Sequence, residues 1–292
     1  MNRGTLYVVA TPIGNLSDIT PRAVNTLREV DLVAAEDTRR SRALFAHFKL
    51  NTPLFSCHAH NEEKKGDFFI RALLEGKDAA LISDAGTPCI SDPGHRLIRM
   101  AVEAGIEVVP VCGASAVVAA LSISGFDASR FVFIGFWPRD KKERDEVWLK
   151  IKAFGSAAVF YESPIRITKT LSFLSEADAE MRICLCNDLT KKFERIYRGT
   201  PNEVIIQLTE NPDARKGEYT CVINRGQSAQ GQKNNPPEPD EIPALSLEAQ
   251  LVDLMIKENC DLKTAAALLH ALPPKKSKKV IYTAMLRVKS LA

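Results

Sequence analysis

The chain has 292 residues, of which 45% are apolar and 26% are charged, and its formal net charge is +3. These proportions are ordinary for a globular protein, and the length suits two domains and a tail that each bury a core. A charge of +3 is too small to indicate nucleic-acid binding by itself, although roughly the last fifty residues are visibly basic.

The first part of the chain alternates apolar runs with helical segments. Thr20 followed by Pro21 predicts the start of one helix, and 95–105 predicts another that has one apolar face and ends at Gly105. Alternating strands and helices predict a largely parallel sheet. The predicted strands are 6–10, 31–35, 53–57, 79–83 and 107–111.

The alternation resumes after Arg130, with strands predicted in RFVFIGF, AVFYES, RICLCND and GEYTCVIN and a charged helix over 140–154. ERIYRG followed by PNEVIIQL fits a hairpin strand and a helix, so this half is predicted to be mixed. The polar, Pro-rich stretch 226–243 is typical of a linker, and about three short helices follow it, broken at Pro273-Pro274.

These patterns predict four parts. An N-terminal α/β domain is expected over 1–122, a second α/β domain over 123–226, a linker over 227–245 and a helical module over 246–292.

The seven Cys residues include no C-x-x-C pair and their number is odd, which favours reduced thiols in the cytosol. The N-terminal MNRGTLYVVATP has one basic residue and a very short apolar run, so no signal peptide is expected. No apolar stretch approaches the roughly 20 residues of a membrane-spanning helix. We therefore expect a soluble cytoplasmic protein.

A polar or Gly-rich cluster follows each predicted strand of the first half. In an open parallel sheet, ligands bind just beyond the carboxyl ends of the strands. The stretch LISDAGTPCISDPG is the most rigid example, and it predicts either a small-molecule cradle or a sharp turn capped by Asp84. The clusters are TPIGN (11–15), EDTR (36–39), HAHNE (58–62), SDAGTP (83–88) and CGASA (112–116).

Common nucleotide-binding motifs are absent: there is no G-x-G-x-x-G after the first strand and no G-K-[ST] loop. A dehydrogenase or a P-loop NTPase is therefore disfavoured. His58 and His60 would share a face of a strand, as metal ligands can, but no third ligand completes a set and no metal is expected. Catalysis, substrate binding or a plain polar strand end are the other interpretations of this pair.

The motifs TPIGNLSDIT, AAEDTRR, HNE, SDAGTPCISDPG, YESPIR, LTKKFE and RKGEY occur in this order. In that order they resemble the 16S ribosomal RNA 2′-O-methyltransferases known as RsmI, within the tetrapyrrole-methylase-like class III S-adenosylmethionine enzymes. The resemblance covers essentially the whole chain, including the basic tail. Pro273-Pro274, where the family usually has Gly, and the long linker depart from it.

The resemblance implies an α/β fold with two tetrapyrrole-methylase-type domains, an active site in the cleft between them and a C-terminal helical RNA-binding module. It also implies that S-adenosylmethionine binds folded in that cleft. The cofactor-binding residues implied are Pro12, Asp84, Thr87, Ser115, Ala116, Tyr161, Leu189 and Glu218.

The implied reaction is 2′-O-methylation of the ribose of cytidine 1402, in the decoding region of 16S rRNA, by a homodimeric enzyme. A ribose hydroxyl is a poor nucleophile, and four residues are candidates to assist it without an assigned role: Glu36, Asp37, His60 and Glu62. Candidate RNA contacts are Arg39, Lys191, Lys275, Lys276, Lys278 and Lys279. Two alternatives stay open: a methylase of the same fold acting on a tetrapyrrole or other small molecule, and a non-catalytic ribosome-assembly factor.

Overall fold

The computed structural model describes residues 3–58, 62–224, 247–258, 260–271 and 277–289. The chain divides into two compact units, Met1–Ser228 and Ala229–Ala292. Within the described residues, no helix is both long enough and apolar enough to span a membrane.

A five-stranded, wholly parallel sheet forms the first half of the larger unit, in the order β3-β2-β4-β1-β5. Every residue of β2 (LVAA) and β4 (AALI) is buried, because both are interior strands of the sheet. The parallel sheet predicted from the alternation is confirmed. Its strands are β1 (Thr5–Val9), β2 (Leu32–Ala35), β3 (Leu54–Ser56), β4 (Ala79–Ile82) and β5 (Glu107–Val111).

Five α-helices and a short 3-10 helix (Leu16–Asp18) connect or follow these strands. The Thr20 hydroxyl accepts a hydrogen bond from the amide of Ala23 at 3.1 Å, which confirms the helix start predicted at Thr20-Pro21. The helices are α1 (Pro21–Glu29), α2 (Thr38–His47), α3 (Glu62–Leu74), α4 (His95–Glu103) and α5 (Ala116–Ser124).

The second half of this unit is a mixed sheet in the order β6-β7-β10-β8-β9. Only β6 and β7 are parallel; β9 pairs antiparallel with β8, as the hairpin prediction required. The strands are β6 (Phe131–Phe136), β7 (Ala157–Glu162), β8 (Arg182–Asn187), β9 (Arg195–Gly199) and β10 (Tyr219–Asn224). The helices are α6 (Lys141–Phe154), α7 (Ile167–Ala177) and α8 (Pro201–Thr209).

Helix α5 joins the two sheets. It follows β5 of the parallel sheet, yet its buried Val117 and Leu121 pack in one hydrophobic cluster with Val159, Cys184 and Val222 of the mixed sheet. Burial of this helix face holds the second sheet beside the carboxyl edge of the first. That arrangement determines where a cleft can form.

The smaller unit contains three helices in its described part, α9 (Leu247–Lys257), α10 (Leu262–Ala271) and α11 (Lys278–Lys289). They share a small core that includes Leu251, Leu269 and Ile281. The three short helices expected here are therefore confirmed. The linker and the Pro273-Pro274 break lie outside the described residues.

Candidate active site

A cavity of about 440 Å³ lies between the carboxyl edge of the parallel sheet and one edge of the mixed sheet. This volume is within the range of small-molecule sites. From the parallel half it is lined by Ile13, Glu36, Asp84, Thr87, Asp92 and Ala116, among others. From the mixed half it is lined by Phe136, Tyr161, Asp188, Leu189, Lys191 and Glu218, among others.

Strand direction explains the contribution of the mixed half. Because β10 is antiparallel to both β7 and β8, its first residue lies beside their last ones: Tyr219 is opposite Glu162 and Asn187. The motifs YES, NDL and KGEY, which are far apart in the sequence, therefore meet at one edge of the sheet.

The SDAGTP loop after β4 is held to two neighbouring loops. Thr11 and Gly86 exchange backbone hydrogen bonds of 2.9 and 3.0 Å, and the Thr87 hydroxyl donates to the carbonyl of Ala114 at 3.2 Å. Gly86 has φ +79°, and a Cβ there would lie 3.3 Å from Ile13. The positive φ therefore favours glycine, and a Cβ would in addition press against the Ile13 side chain of the first loop.

Glu36 and Asp84 cross-link the loops that follow β2 and β4. The amide of Asp84 donates to Glu36 Oε2 at 3.4 Å, the amide of Asp37 donates to Asp84 Oδ1 at 3.1 Å, and Arg40 pairs with Asp84 Oδ2 at 3.2 Å. Burial raises the pKa of Glu36, and this effect outweighs the amide hydrogen bond from Asp84. The two carboxylates thus hold these loops together where they line the cavity.

Asp92 is a third carboxylate of the cavity, and the sequence reasoning did not single it out. Burial raises its pKa to about 6, with the charges of Glu36 and Asp84 adding to the effect and a hydrogen bond with the Ser83 hydroxyl opposing it. Asp92 is therefore largely ionised at neutral pH while remaining a stronger base than an exposed aspartate. The only sequence signal for it was the second Ser-Asp of SDAGTPCISDPG.

Left-handed backbone is concentrated around the cavity. Of the five described non-glycine residues with positive φ, four flank it: Cys89 (69°) and Ser91 (70°) after β4, and Asp188 (51°) and Thr190 (65°) after β8. Such residues are strained, and strain of this kind clusters where a loop must hold groups for binding or catalysis. Strained residues thus occur on both the parallel and the mixed side of the cavity.

Tyr161 presents a neutral phenol to the cavity. Its ring contacts those of Phe133 and Phe136 edge-on, with centroids 5.1 and 5.6 Å away. Burial raises the pKa of Tyr161 to about 12, and the negative charges of Asp92 and Glu218 reinforce this. The hydroxyl stays protonated at neutral pH and can donate a hydrogen bond to a ligand.

Lys191 lines the cavity with its charge already paired within the chain. Its Nζ lies 2.7 Å from Asp188 Oδ1 and 3.2 Å from Glu218 Oε2. Burial lowers the pKa of Lys191, but the hydrogen bond to Asp188 and the charge of Glu218 more than offset burial, so the pKa is raised. Gly217 (φ +82°) packs so closely on the Asp188 carboxylate that a Cβ would overlap it.

Several predicted catalytic or RNA-contacting residues lie elsewhere. Asp37 caps α2 and pairs with exposed Arg39 at 2.7 Å; the Arg39 hydrogen bond lowers the Asp37 pKa to about 2. Neither residue lines the cavity. Glu62 is buried and accepts hydrogen bonds from the amides of Arg96 and Leu97, at 2.8 and 3.1 Å, at the start of α4. It lies in the first turn of α3, not at the end of a strand.

Other predicted residues fall outside what the structure describes. These are His60, Lys275 and Lys276, together with the side chains of Lys278 and Lys279, whose backbone belongs to α11.

The cavity brings together seven of the eight residues predicted to bind the cofactor, and Pro12 immediately precedes the lining residue Ile13. Of the four candidates to assist the hydroxyl, it brings in Glu36. The seven residues predicted to bind the cofactor that line the cavity are Asp84, Thr87, Ser115, Ala116, Tyr161, Leu189 and Glu218.

The lining fits a zwitterionic sulfonium cofactor. Carboxylates on one wall suit positive charge, and the start of α5 suits a carboxylate, because the Ser115 side chain makes no capping hydrogen bond to the first-turn amides. Among the described residues, no three His, Cys, Asp or Glu side chains are grouped so as to hold a metal ion.

Comparison with known proteins agrees with this geometry. Residues 5–205 match the family model described as Tetrapyrrole (Corrin/Porphyrin) Methylases. The fold is similar to that of a solved cobalt precorrin-4 methyltransferase (TM-score 0.56, 17% identity, covering 75% of this chain and 94% of that one). It is equally similar to diphthine synthase (TM-score 0.56, 15% identity, covering 76% and 90%). The fold and the cavity thus define a tetrapyrrole-methylase-type methyltransferase.

Curated relatives narrow this class. The chain is 44% identical to Ribosomal RNA small subunit methyltransferase I of Pseudomonas aeruginosa over 92% of each chain. It is 45% identical to the protein of that name from Halalkalibacterium halodurans, over 81% of this chain and 80% of the other. The chain belongs to the ribosomal RNA small subunit methyltransferase I family.

Proposed function

We propose that this enzyme transfers a methyl group from S-adenosylmethionine to the ribose 2′-hydroxyl of cytidine 1402 in 16S rRNA of the small ribosomal subunit. The observation that carries the proposal is the cavity in which a basic carboxylate, Asp92, faces the predicted cofactor residues. The names of the curated relatives support small-subunit rRNA as the substrate class.

When bound, S-adenosylmethionine supplies a methyl carbon on a sulfonium centre, which an oxygen nucleophile can attack in line. Asp84, Glu218 and the neutral hydroxyl of Tyr161 would hold its polar groups, while Ala116 and Leu189 would pack against its apolar parts. Thr87 fixes the loop that carries Asp84 by bonding to Ala114. A ligand bound there would displace water from the cavity, which strengthens each polar contact.

Asp92 would accept the proton of the ribose hydroxyl. Its raised pKa makes it a better base than an ordinary aspartate, while most of it is still ionised at neutral pH. Glu36 assists indirectly, because its negative charge helps to keep the Asp92 pKa high. Glu36 itself accepts the Asp84 amide, so we assign it a positioning role.

Mass mapping of ribose methylation on small-subunit RNA, from cells with and without this gene, tests the proposal. We expect one 2′-O-methylcytidine in 16S rRNA to disappear with the gene and to return when it is restored. Methylation of a small molecule without ribosomal particles would favour a small-molecule methylase. Intact rRNA methylation in the deletion strain, with no calorimetric binding of S-adenosylmethionine, would favour an assembly factor.

We further propose that the basic tail contacts rRNA through Lys275, Lys276, Lys278 and Lys279. Lysines that contact phosphates release counterions, so their affinity falls steeply with salt. Changing all four to Glu should weaken binding to small subunits and lower methylation without altering cofactor affinity. The slope of log binding constant against log salt concentration should become shallower by up to about 0.7 per lost phosphate contact on single strands. Wild-type methylation with an unchanged slope would assign this charge no role in binding.

We also propose a cytoplasmic homodimer, as the family resemblance implies. Light scattering of the purified protein should give twice the monomer mass of 32.2 kDa. A strict monomer at working concentrations would contradict this.

A further inference from the structure

Three exposed apolar side chains belong to the cavity lining or lie within two residues of it in the sequence. Phe136 lines it and is 61% exposed; Ile165 directly follows the lining residue Pro164 and is 86% exposed; Phe193 lies two residues after Lys191 and is 74% exposed. Phe193 is the most exposed aromatic residue in the described part of the chain. Apolar surface left in water beside a binding cavity indicates a surface that a ligand covers.

Phe193 is presented by an ordered loop between β8 and β9. The amide of Thr190 donates to Glu194 Oε2 at 2.5 Å, the amide of Glu194 donates to the carbonyl of Lys191 at 3.0 Å, and the Thr190 hydroxyl accepts from the amide of Asn15 at 3.1 Å. These bonds close the loop on both sides of the ring. The ring is therefore exposed on an already ordered loop, and little conformational entropy would be lost when a ligand contacts it.

A positive charge accompanies the ring. Lys192 Nζ lies 5.4 Å from the centroid of Phe193, within the distance of a cation–π contact, and Lys192 is itself exposed. A ring that offers a flat apolar face beside an exposed ammonium group matches one nucleotide, which has a flat base and an anionic phosphate.

The proposed reaction also favours a base near Phe193. If the ribose hydroxyl must reach Asp92, the base of that nucleotide or of its neighbour is left at the mouth. Proteins recognise single-stranded RNA by stacking such unstacked bases on aromatic side chains.

We propose that Phe193 is a stacking platform for one unstacked base of the RNA substrate, with Lys192 contacting the adjoining phosphate. The proposal rests on the proposed function, since it takes the RNA substrate as given. It assigns Phe193 to substrate binding and leaves the cofactor site and the proton acceptor as described.

The test compares Phe193→Ala and Phe193→Trp with the wild type, using small ribosomal subunits as substrate. Phe193→Ala should raise the KM for the subunits at least about 5-fold, while Phe193→Trp should stay within about 3-fold of wild type. Calorimetric affinity for S-adenosylmethionine should be unchanged in both. Phe154→Ala, at the far end of α6, is the matched control because it also truncates an exposed phenylalanine (46% exposed) outside the cavity lining and should leave the KM unchanged.

RNA oligonucleotides that lack a single base identify the stacked nucleotide. At one position near the methylated ribose, removing the base should weaken wild-type binding and abolish the difference between wild type and Phe193→Ala. An unchanged KM in Phe193→Ala, or a defect that persists at every abasic position, would overturn the stacking role while wild-type methylation leaves the proposed function standing. Absence of wild-type rRNA methylation would overturn both.

Discussion

The two halves of the larger unit contribute different chemistry to one cavity. The parallel half supplies three carboxylates, Glu36, Asp84 and Asp92, whereas the mixed half supplies aromatic rings and a lysine that its own acidic residues neutralise. The parallel sheet brings every strand's carboxyl end to one edge, so polar loops converge there. Under the proposed function, proton transfer belongs to the first half alone, whereas both halves contribute predicted cofactor residues.

The largest expected effect breaks the first half of that comparison. Asp92→Asn should lower the rate of methyl transfer by about 10²- to 10⁴-fold, because the proton acceptor is lost. Single-turnover rates at saturating cofactor and small subunits measure this, with calorimetry showing that cofactor affinity changes less than about 3-fold. Loss of cofactor binding instead would make Asp92 a cofactor residue.

The pH dependence sharpens the same assignment. Only ionised Asp92 can accept a proton, so the wild-type rate should rise with pH through a midpoint near 6 and then level off. Glu36→Gln removes a negative charge that raises the Asp92 pKa, so its midpoint should move to lower pH. The pKa of Asp92 is higher in the folded than in the unfolded state, so at pH values above the unfolded-state pKa its ionisation lowers the free energy of unfolding. Asp92→Asn removes this cost and should therefore raise the Tm at pH 8 but not at pH 4. A rate profile without this midpoint would contradict the assignment.

A second change separates structural from catalytic carboxylates within the parallel half. Glu62→Ala should reduce the free energy of unfolding by about 1–3 kcal/mol, because two amides at the start of α4 lose their acceptor. Urea unfolding measures this loss. The methyl-transfer rate per folded Glu62→Ala molecule should match wild type. The free energy of unfolding of Glu62→Gln should lie between those of wild type and Glu62→Ala. A loss of rate above about 100-fold in folded Glu62→Ala would instead indicate that Glu62 takes part in methyl transfer.

The smallest effect concerns the mixed half. Tyr161→Phe should weaken cofactor binding by about 3- to 10-fold, the contribution of one hydrogen bond, and barely change the rate at saturation. Tyr219→Phe is a suitable control, because Tyr219 also lines the cavity but its hydroxyl already donates to the Ala214 carbonyl at 2.8 Å. Equal cofactor affinities for the two variants would remove Tyr161 from the cofactor site.

Local sequence signals were sufficient wherever a residue acts through its chain neighbours. Thr20-Pro21 marks a helix start by a cap and a fixed φ, and the continuous apolar runs LVAA and AALI mark buried strands. The motifs after the strands of the parallel sheet identified most of the lining that this half contributes, because loops at the carboxyl edge of a parallel sheet converge by topology alone.

Roles that depend on distant partners needed the tertiary structure. Glu62 was a candidate to assist the hydroxyl, and the structure shows its carboxylate at the amides of α4. Lys191 was a candidate phosphate contact, and the structure shows it paired with Asp188 and Glu218. Asp92 and Phe193 lie within the motifs SDAGTPCISDPG and LTKKFE, but the burial of one and the exposure of the other became visible only in the structure. Sequence determined the elements, their order and the converging loops, because hydrophobic period and turn chemistry are local. Tertiary structure alone decided burial, pairing and exposure of each charge and ring, because these depend on residues tens of positions away.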